Sequence, residues 1–275
     1  VGTKGWIKGT TRVDGKMNNC LQLDSKKLDN CLQLDSKKLD LDNCEQLNNS
    51  NELSIFVIFH DTLYPEMYED LTEDEFKCFT FVAVNGATSK YYKDKTINEW
   101  ELPVYFPEWQ KNKWMNGGVN HHIVLNRLLK TDYAGFVQYD MKFKKGSVNY
   151  IKSLLKPEIG VSMRIMNLEN LLATSTYGFG DINLYIKSLA VPMKSKTFPL
   201  YHMCIMQSKK WYQIMPDVLV TDKEVFKEMK ERDPWYRFPV TTERILALAI
   251  GTVVEEVLDV SEYITHERLA GQTKF

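Results

Sequence analysis

The chain has 275 residues, 44% of them hydrophobic and 26% charged, and 35 basic against 36 acidic side chains leave a formal net charge of -1. This is ordinary globular composition, with enough apolar material for a sizeable core in one large domain or two small ones. There is no basic field to grip nucleic-acid phosphates, and no apolar run approaches the roughly 18 residues that cross a bilayer, so neither a nucleic-acid partner nor a membrane span is expected.

Residues 1–51 differ in texture from the rest. The segment Asn19 to Asp29 (NCLQLDSKKLD) recurs unchanged as Asn30 to Asp40, and a truncated third copy begins at Asn43. An 11-residue period can carry an apolar stripe along a helix, here through Leu21, Leu28, Leu32 and Leu39, but so few copies cannot bury their own faces. A spacer or docking helix ahead of a domain at 52–275 is the expectation, and the missing initiator Met points to a segment of a longer polypeptide. Cys20, Cys31, Cys44, Cys78 and Cys204 are odd in number and form no CxxC pair, which fits reduced thiols rather than a disulfide framework or a zinc knuckle.

From Glu52 the pattern alternates. Leu53 to His60 (LSIFVIFH) and Phe79 to Asn85 (FTFVAVN) are apolar runs of strand length, separated by an acidic stretch that can be helical. Asn116, Gly117 and Gly118 are read as a break before a helix over Asn120 to Leu129, and Tyr133 to Tyr139 (YAGFVQY) is a third strand, stopping at Asp140. A short strand over Gly160 to Ile165, a strand over His202 to Gln207 leading into a helix from Ser208, and a helix over Thr241 to Leu258 capped by Thr241 or Thr242 complete the series. Such alternation predicts an α/β sandwich around a mostly parallel sheet.

Ligands of open α/β sheets bind beyond the carboxyl ends of the strands. That rule selects His60-Asp61, Asn85-Gly86, Gln138 to Lys142, and Gln207-Ser208. Asp140 is the sharpest, a lone carboxylate ending a buried strand after a helix that carries Asn126 and Arg127, placed to hold a divalent cation or simply to cap a turn. Lys142 could offset phosphate charge or be a solvated lysine. Trp100, Trp109, Trp114 and Tyr177 lie beside polar residues in expected loops, where aromatic faces stack on sugars or bases as well as fill cores. The adjacent His121 and His122 cannot share a helix face, and His202 is read as packing beneath its strand.

Taken together, IFVIFHD, FTFVAVN, NEWELPVYFPEWQ and NHHIVLNRLLKTDYAGFVQYDM resemble the GT-A glycosyltransferases of chlorella viruses and related bacterial enzymes, over roughly Leu53 to Leu269. The resemblance implies a GT-A-like three-layer sandwich and a UDP-sugar laid across the strand ends by His60, Asn85, Asn126, Gln138 and Lys142. It also implies Mn²⁺ or Mg²⁺ held by Asp140, with His266 of EYITHERL as a further ligand. The family's DxD motif is incomplete here, because Gln138 stands where its first acid would be. Glu243 matches the general base of inverting members, with Asp181 of YGFGDIN and Asp217 as reserves. The implied activity is transfer of a sugar, with L-rhamnose or xylose as first candidates, to a hydroxyl of a glycan acceptor, with inversion, in the cytoplasm (a host cytoplasm if the chain is viral). The alternatives are a non-catalytic carbohydrate-binding module on the same shell and, last, a nucleotidyltransferase, which would need a Gly-rich basic loop where DTLYPEMYED follows His60.

Overall fold

Strand β1 (Leu53–Phe59) is buried along almost its whole length, since parallel neighbours occupy both edges and helices cover both faces. The computed structural model describes residues 52–111, 114–175, 192–232 and 238–267. The repeat, its three cysteines, Tyr177 and Asp181 lie outside these. Helix α1 (Glu73–Phe76) follows, closed by a Thr72–Glu75 capping box, and then strands β2 (Phe79–Ala83) and β3 (Thr96–Asn98). Helices α2 (Pro107–Lys111) and α3 (Met115–Leu125) lead to β4 (Tyr133–Gln138), β5 (Met141–Phe143), α4 (Ser147–Leu154), β6 (Ile159–Ser162), β7 (Ile165–Asn167) and α5 (Leu168–Ser175). The last part comprises β8 (Thr197–Pro199), β9 (Cys204–Gln207), α6 (Ser208–Arg232), α7 (Phe238–Val253), β10 (Glu256–Asp259) and β11 (Ile264–His266).

The seven-stranded central sheet runs β10-β6-β9-β4-β1-β2-β3. All its pairings are parallel except those of β9, which runs antiparallel to both β4 and β6. The expected α/β sandwich with a mostly parallel sheet is therefore what the chain forms, and the three leading strands lie side by side. Alternate residues of β1 face opposite layers. Ile55, Val57 and Phe59 join a core with Met67, Tyr68, Phe79, Phe143, Val148 and Ile151, while Phe56 meets Phe136, which stands edge-on to Trp211 of α6. Each such buried side chain contributes about 1.5–3 kcal/mol through removal of apolar area from water.

Two local features differ from expectation, and one open alternative is decided. Gly117 and Gly118 sit inside α3 rather than before it, because that helix is pressed against its neighbours. A Cβ on Gly117 would stand 3.2 Å from Thr242 Oγ1, and one on Gly118 would stand 3.1 Å from Trp114 Cβ. Helix α7 begins at Phe238, so Glu243 lies in its second turn, and it stops at Val253, after which Glu256 to Asp259 pair with β6 instead of continuing the helix. Trp109 and Trp114 are buried and stack at 4.9 Å and 8°, which makes them core rather than a sugar platform.

A candidate functional site at the strand ends

Strand β1 ends at His60-Asp61, β2 at Val84 and Asn85, and β4 at Tyr139 and Asp140, all on one edge of the sheet. The ladder runs one residue further on both sides of β1, with Val84 N–H donating to Phe59 O at 3.0 Å and Tyr139 N–H to Ile58 O at 3.1 Å. Asn85 adopts the left-handed region at φ 56 ahead of Gly86 at φ 75, turning the chain away and leaving both residues exposed.

The Asp140 carboxylate leans on His266, whose Nε2 lies 2.8 Å from its Oδ2. Residues 126 positions apart meet because β11 pairs antiparallel with β5, His266 opposite Met141, and Glu267 N–H then closes on Asp140 O at 2.9 Å. The other carboxylate oxygen, Oδ1, is buried without a hydrogen-bond partner among the described residues. Half-buried His60 stands edge-on to Tyr139, with ring centres 5.1 Å apart. Burial lowers the His60 pKa, against the opposing pull of the Asp61 and Asp140 carboxylates. Burial, reinforced by the same two acids, pushes the Tyr139 phenol up to about 12.

Glu243 enters the same region from α7. Its side chain is 13% exposed, and Arg244 Nη1 donates to its Oε1 at 2.6 Å. Burial raises its pKa, opposed by the Arg244 charge, a backbone hydrogen bond from Tyr201 and the Arg164 charge. Tyr201, in the turn before β9, accepts a hydrogen bond on its carbonyl from Gln138 Nε2 at 3.0 Å, and its ring lies nearly parallel to His266 at 5.8 Å. The structure thus gathers Gln138, Asp140, His266 and Glu243 around Tyr201, with His60 beside Asp140.

The remaining candidates stand elsewhere. Lys142 points to the acidic turn after Tyr68, its Nζ 3.4 Å from Glu69 and 3.9 Å from Asp70. The Asn126 amide ends α3, bonded to the backbone of Val104 and His122. Asp217 is exposed on α6, next to Pro216. Gln207 and Ser208 belong to the opposite edge of the sheet, because β9 is antiparallel: Gln207 pairs with Tyr133, and Ser208 N–H bonds Asp132 O at 2.8 Å. His121 and His122 diverge to different partners, Asp222 at 2.9 Å and Glu99 at 2.6 Å. His202 is buried, its Nε2 3.2 Å from Thr242 Oγ1. Sequence reasoning missed Tyr201, Arg164 and Arg244; only the charge of Arg244 next to Glu243 was visible in the chain order.

A divalent cation fits the Asp140–His266 pair in one way. No group of three or more His, Cys, Asp or Glu able to hold a metal occurs among the described residues. A closed protein cage is therefore not what the donor set offers. The buried Oδ1 of Asp140, without a hydrogen-bond partner among the described residues, would be one ligand of such a cation, and His266 Nε2 would be a second only on giving up the proton it shares with Asp140.

No protein-family model matches the sequence. No curated protein matches it either. Among solved structures, the chain is similar to the apo structure of WbbM, a bifunctional glycosyltransferase, with 8% identical residues and a TM-score of 0.45 over 76% of this chain. The chain spans 44% of that structure's length. Among the described residues, no helix is long and apolar enough to cross a membrane.

Proposed function

We propose that the chain is a sugar-nucleotide-dependent glycosyltransferase of the GT-A type, with its donor at the carboxyl ends of β1, β2 and β4. The observation that carries this reading is the Asp140 carboxylate at the mouth of the sheet, one oxygen buried without a partner among the described residues, the other on His266. Asp140 would hold Mn²⁺ or Mg²⁺ against a UDP-sugar through Oδ1, His266 joining it through Nε2 once that nitrogen has released its proton, and the bound cation would stabilise the negative charge that builds on the departing diphosphate. His60, Asn85 and Gln138 border the same edge and would contact the nucleotide and sugar. Lys142 would reach a phosphate only by leaving Glu69 and Asp70.

Glu243 is assigned as general base for an inverting transfer. The acceptor hydroxyl gives its proton to the Glu243 carboxylate while its oxygen forms the new bond to the anomeric carbon. The bond from that carbon to the diphosphate oxygen breaks on the opposite face, and its electron pair leaves with the diphosphate. Burial suits Glu243 to this role by raising its proton affinity, and Arg244 limits the effect. L-rhamnose and xylose are the donor sugars to try first, with a glycan hydroxyl as acceptor.

Calorimetric titration of UDP, with and without Mn²⁺, tests the reading. The wild type should bind UDP more tightly with the ion, and Asp140→Ala should lose that dependence. Equal affinity in the two proteins would remove Asp140 from the donor site. Gln138 in place of an acid and the Arg244 clamp on Glu243 favour one rival, a non-catalytic carbohydrate-binding shell, and a wild type that binds glycans but no UDP-sugar would establish it.

A further inference from the structure

Each polar group of Tyr201 and its ring are engaged by a residue of the candidate site. Its carbonyl accepts from Gln138 Nε2 at 3.0 Å, its backbone reaches the Glu243 carboxylate, its hydroxyl accepts from Arg164 Nη1, and its ring lies on His266 at 5.8 Å and 18°. The backbone that allows this is costly. Tyr201 and His202 are consecutive non-glycine residues in the left-handed region, at φ 62 and φ 54. That conformation costs roughly 1–2 kcal/mol per residue and persists where the surroundings over-determine it.

His266 needs such a restraint. It ends the three-residue strand β11, and its side chain is 29% exposed. An imidazole there rotates between staggered wells at little cost unless a neighbour blocks it. The Tyr201 ring is the flat surface it lies against, and in that orientation Nε2 meets Asp140 Oδ2 at 2.8 Å.

We propose that Tyr201 is a positioning residue: its ring holds His266 in the orientation that lays Nε2 on Asp140, and its carbonyl holds the Gln138 amide beside that pair. The orientation itself is independent of what the site binds. Its consequence for donor affinity rests on the glycosyltransferase reading.

Two measurements on the full chain separate these. Long-range ¹H–¹⁵N spectra of the imidazoles, with the His266 signal identified by its loss in His266→Gln, report which ring nitrogen carries the proton. The wild type and Tyr201→Phe should show one tautomer, protonated on the Nε2 that donates to Asp140, and Tyr201→Ala should show a mixture. A single unchanged tautomer in Tyr201→Ala overturns the proposal whether or not the chain is an enzyme. In UDP titrations with Mn²⁺, Tyr201→Ala should bind about tenfold more weakly, Tyr201→Phe about as well as wild type, and Tyr201→Ala/His266→Ala no more weakly than His266→Ala alone. Additive losses in the double variant would show that Tyr201 does not act through His266. A wild type that binds no UDP would sink the donor-site reading and leave the tautomer to decide the role of Tyr201.

Discussion

His202 is expected to make the protein acid-sensitive by a calculable amount. Its ring is buried, with Thr242 Oγ1 as its hydrogen-bond partner, and burial lowers its pKa from 6.5 to about 3, helped by the Arg244 and His121 charges. The folded chain therefore keeps His202 neutral where the unfolded chain protonates it. The stability this contributes is complete above the unfolded value of 6.5 and drains away as pH falls through the window down to about 3. Protonation linkage puts the loss between about pH 7.5 and about pH 5.5 at roughly 1.4 kcal/mol. Asn is the replacement of choice, because it tolerates the positive φ of 54 at this position and its amide can reach the Thr242 hydroxyl without titrating. Urea unfolding followed by tryptophan fluorescence, at both pH values, should show the wild type losing roughly 1.4 kcal/mol more than His202→Asn across the interval. Equal losses in the two proteins would mean that the ring is solvated or already charged in the folded state, and would refute the argument.

Gly135→Ala should destabilise the fold, because its Cβ would stand 2.8 Å from Cys204 O and 2.9 Å from Ile205 Cα, backbone atoms that move only if β9 moves. Overpacking of this kind costs about 2–3 kcal/mol, read by calorimetry as a fall in Tm of about 5–10 °C, and an unchanged Tm would show that β9 yields freely. Glu243→Gln should keep UDP affinity while reducing turnover by about 10²-fold or more, whereas unimpaired turnover would move the base to Asp217 or Asp181.

Three elements were legible because their signal is local. The apolar runs of β1, β2 and β4 announce strands buried on both faces, and Asp140 announces the place where β4 leaves the core. Helix α7 was legible as an element but misplaced at both ends. Pro239 in its first turn is the available start signal, since proline lacks an N–H that the first turn leaves unbonded in any case, while the threonines taken as caps are buried inside the helix. Strands β5 and β11, three residues each, are too short to carry a period, so the ribbon that delivers His266 to Asp140 leaves no pattern in the chain. His266 could be proposed only by resemblance. The left-handed turn at Tyr201-His202 is equally silent, because tyrosine rarely adopts that conformation and histidine, though enriched there, adopts it far less readily than glycine.

Strand direction is the property that sequence pattern conceals most completely, and here it decides which loop faces the site. Reading every strand as parallel puts the residues after β9, Gln207 and Ser208, at the ligand edge. Because β9 is inserted antiparallel between β4 and β6, its trailing end meets Tyr133 and Asp132 at the far edge, and its leading turn arrives beside Gln138. An apolar run such as CIMQ buries equally well in either direction, so burial periodicity cannot distinguish them. The reversal carries chemical weight, since it is the leading turn that bears Tyr201, and through Tyr201 that residues of β4, α7 and β11 come into one cluster.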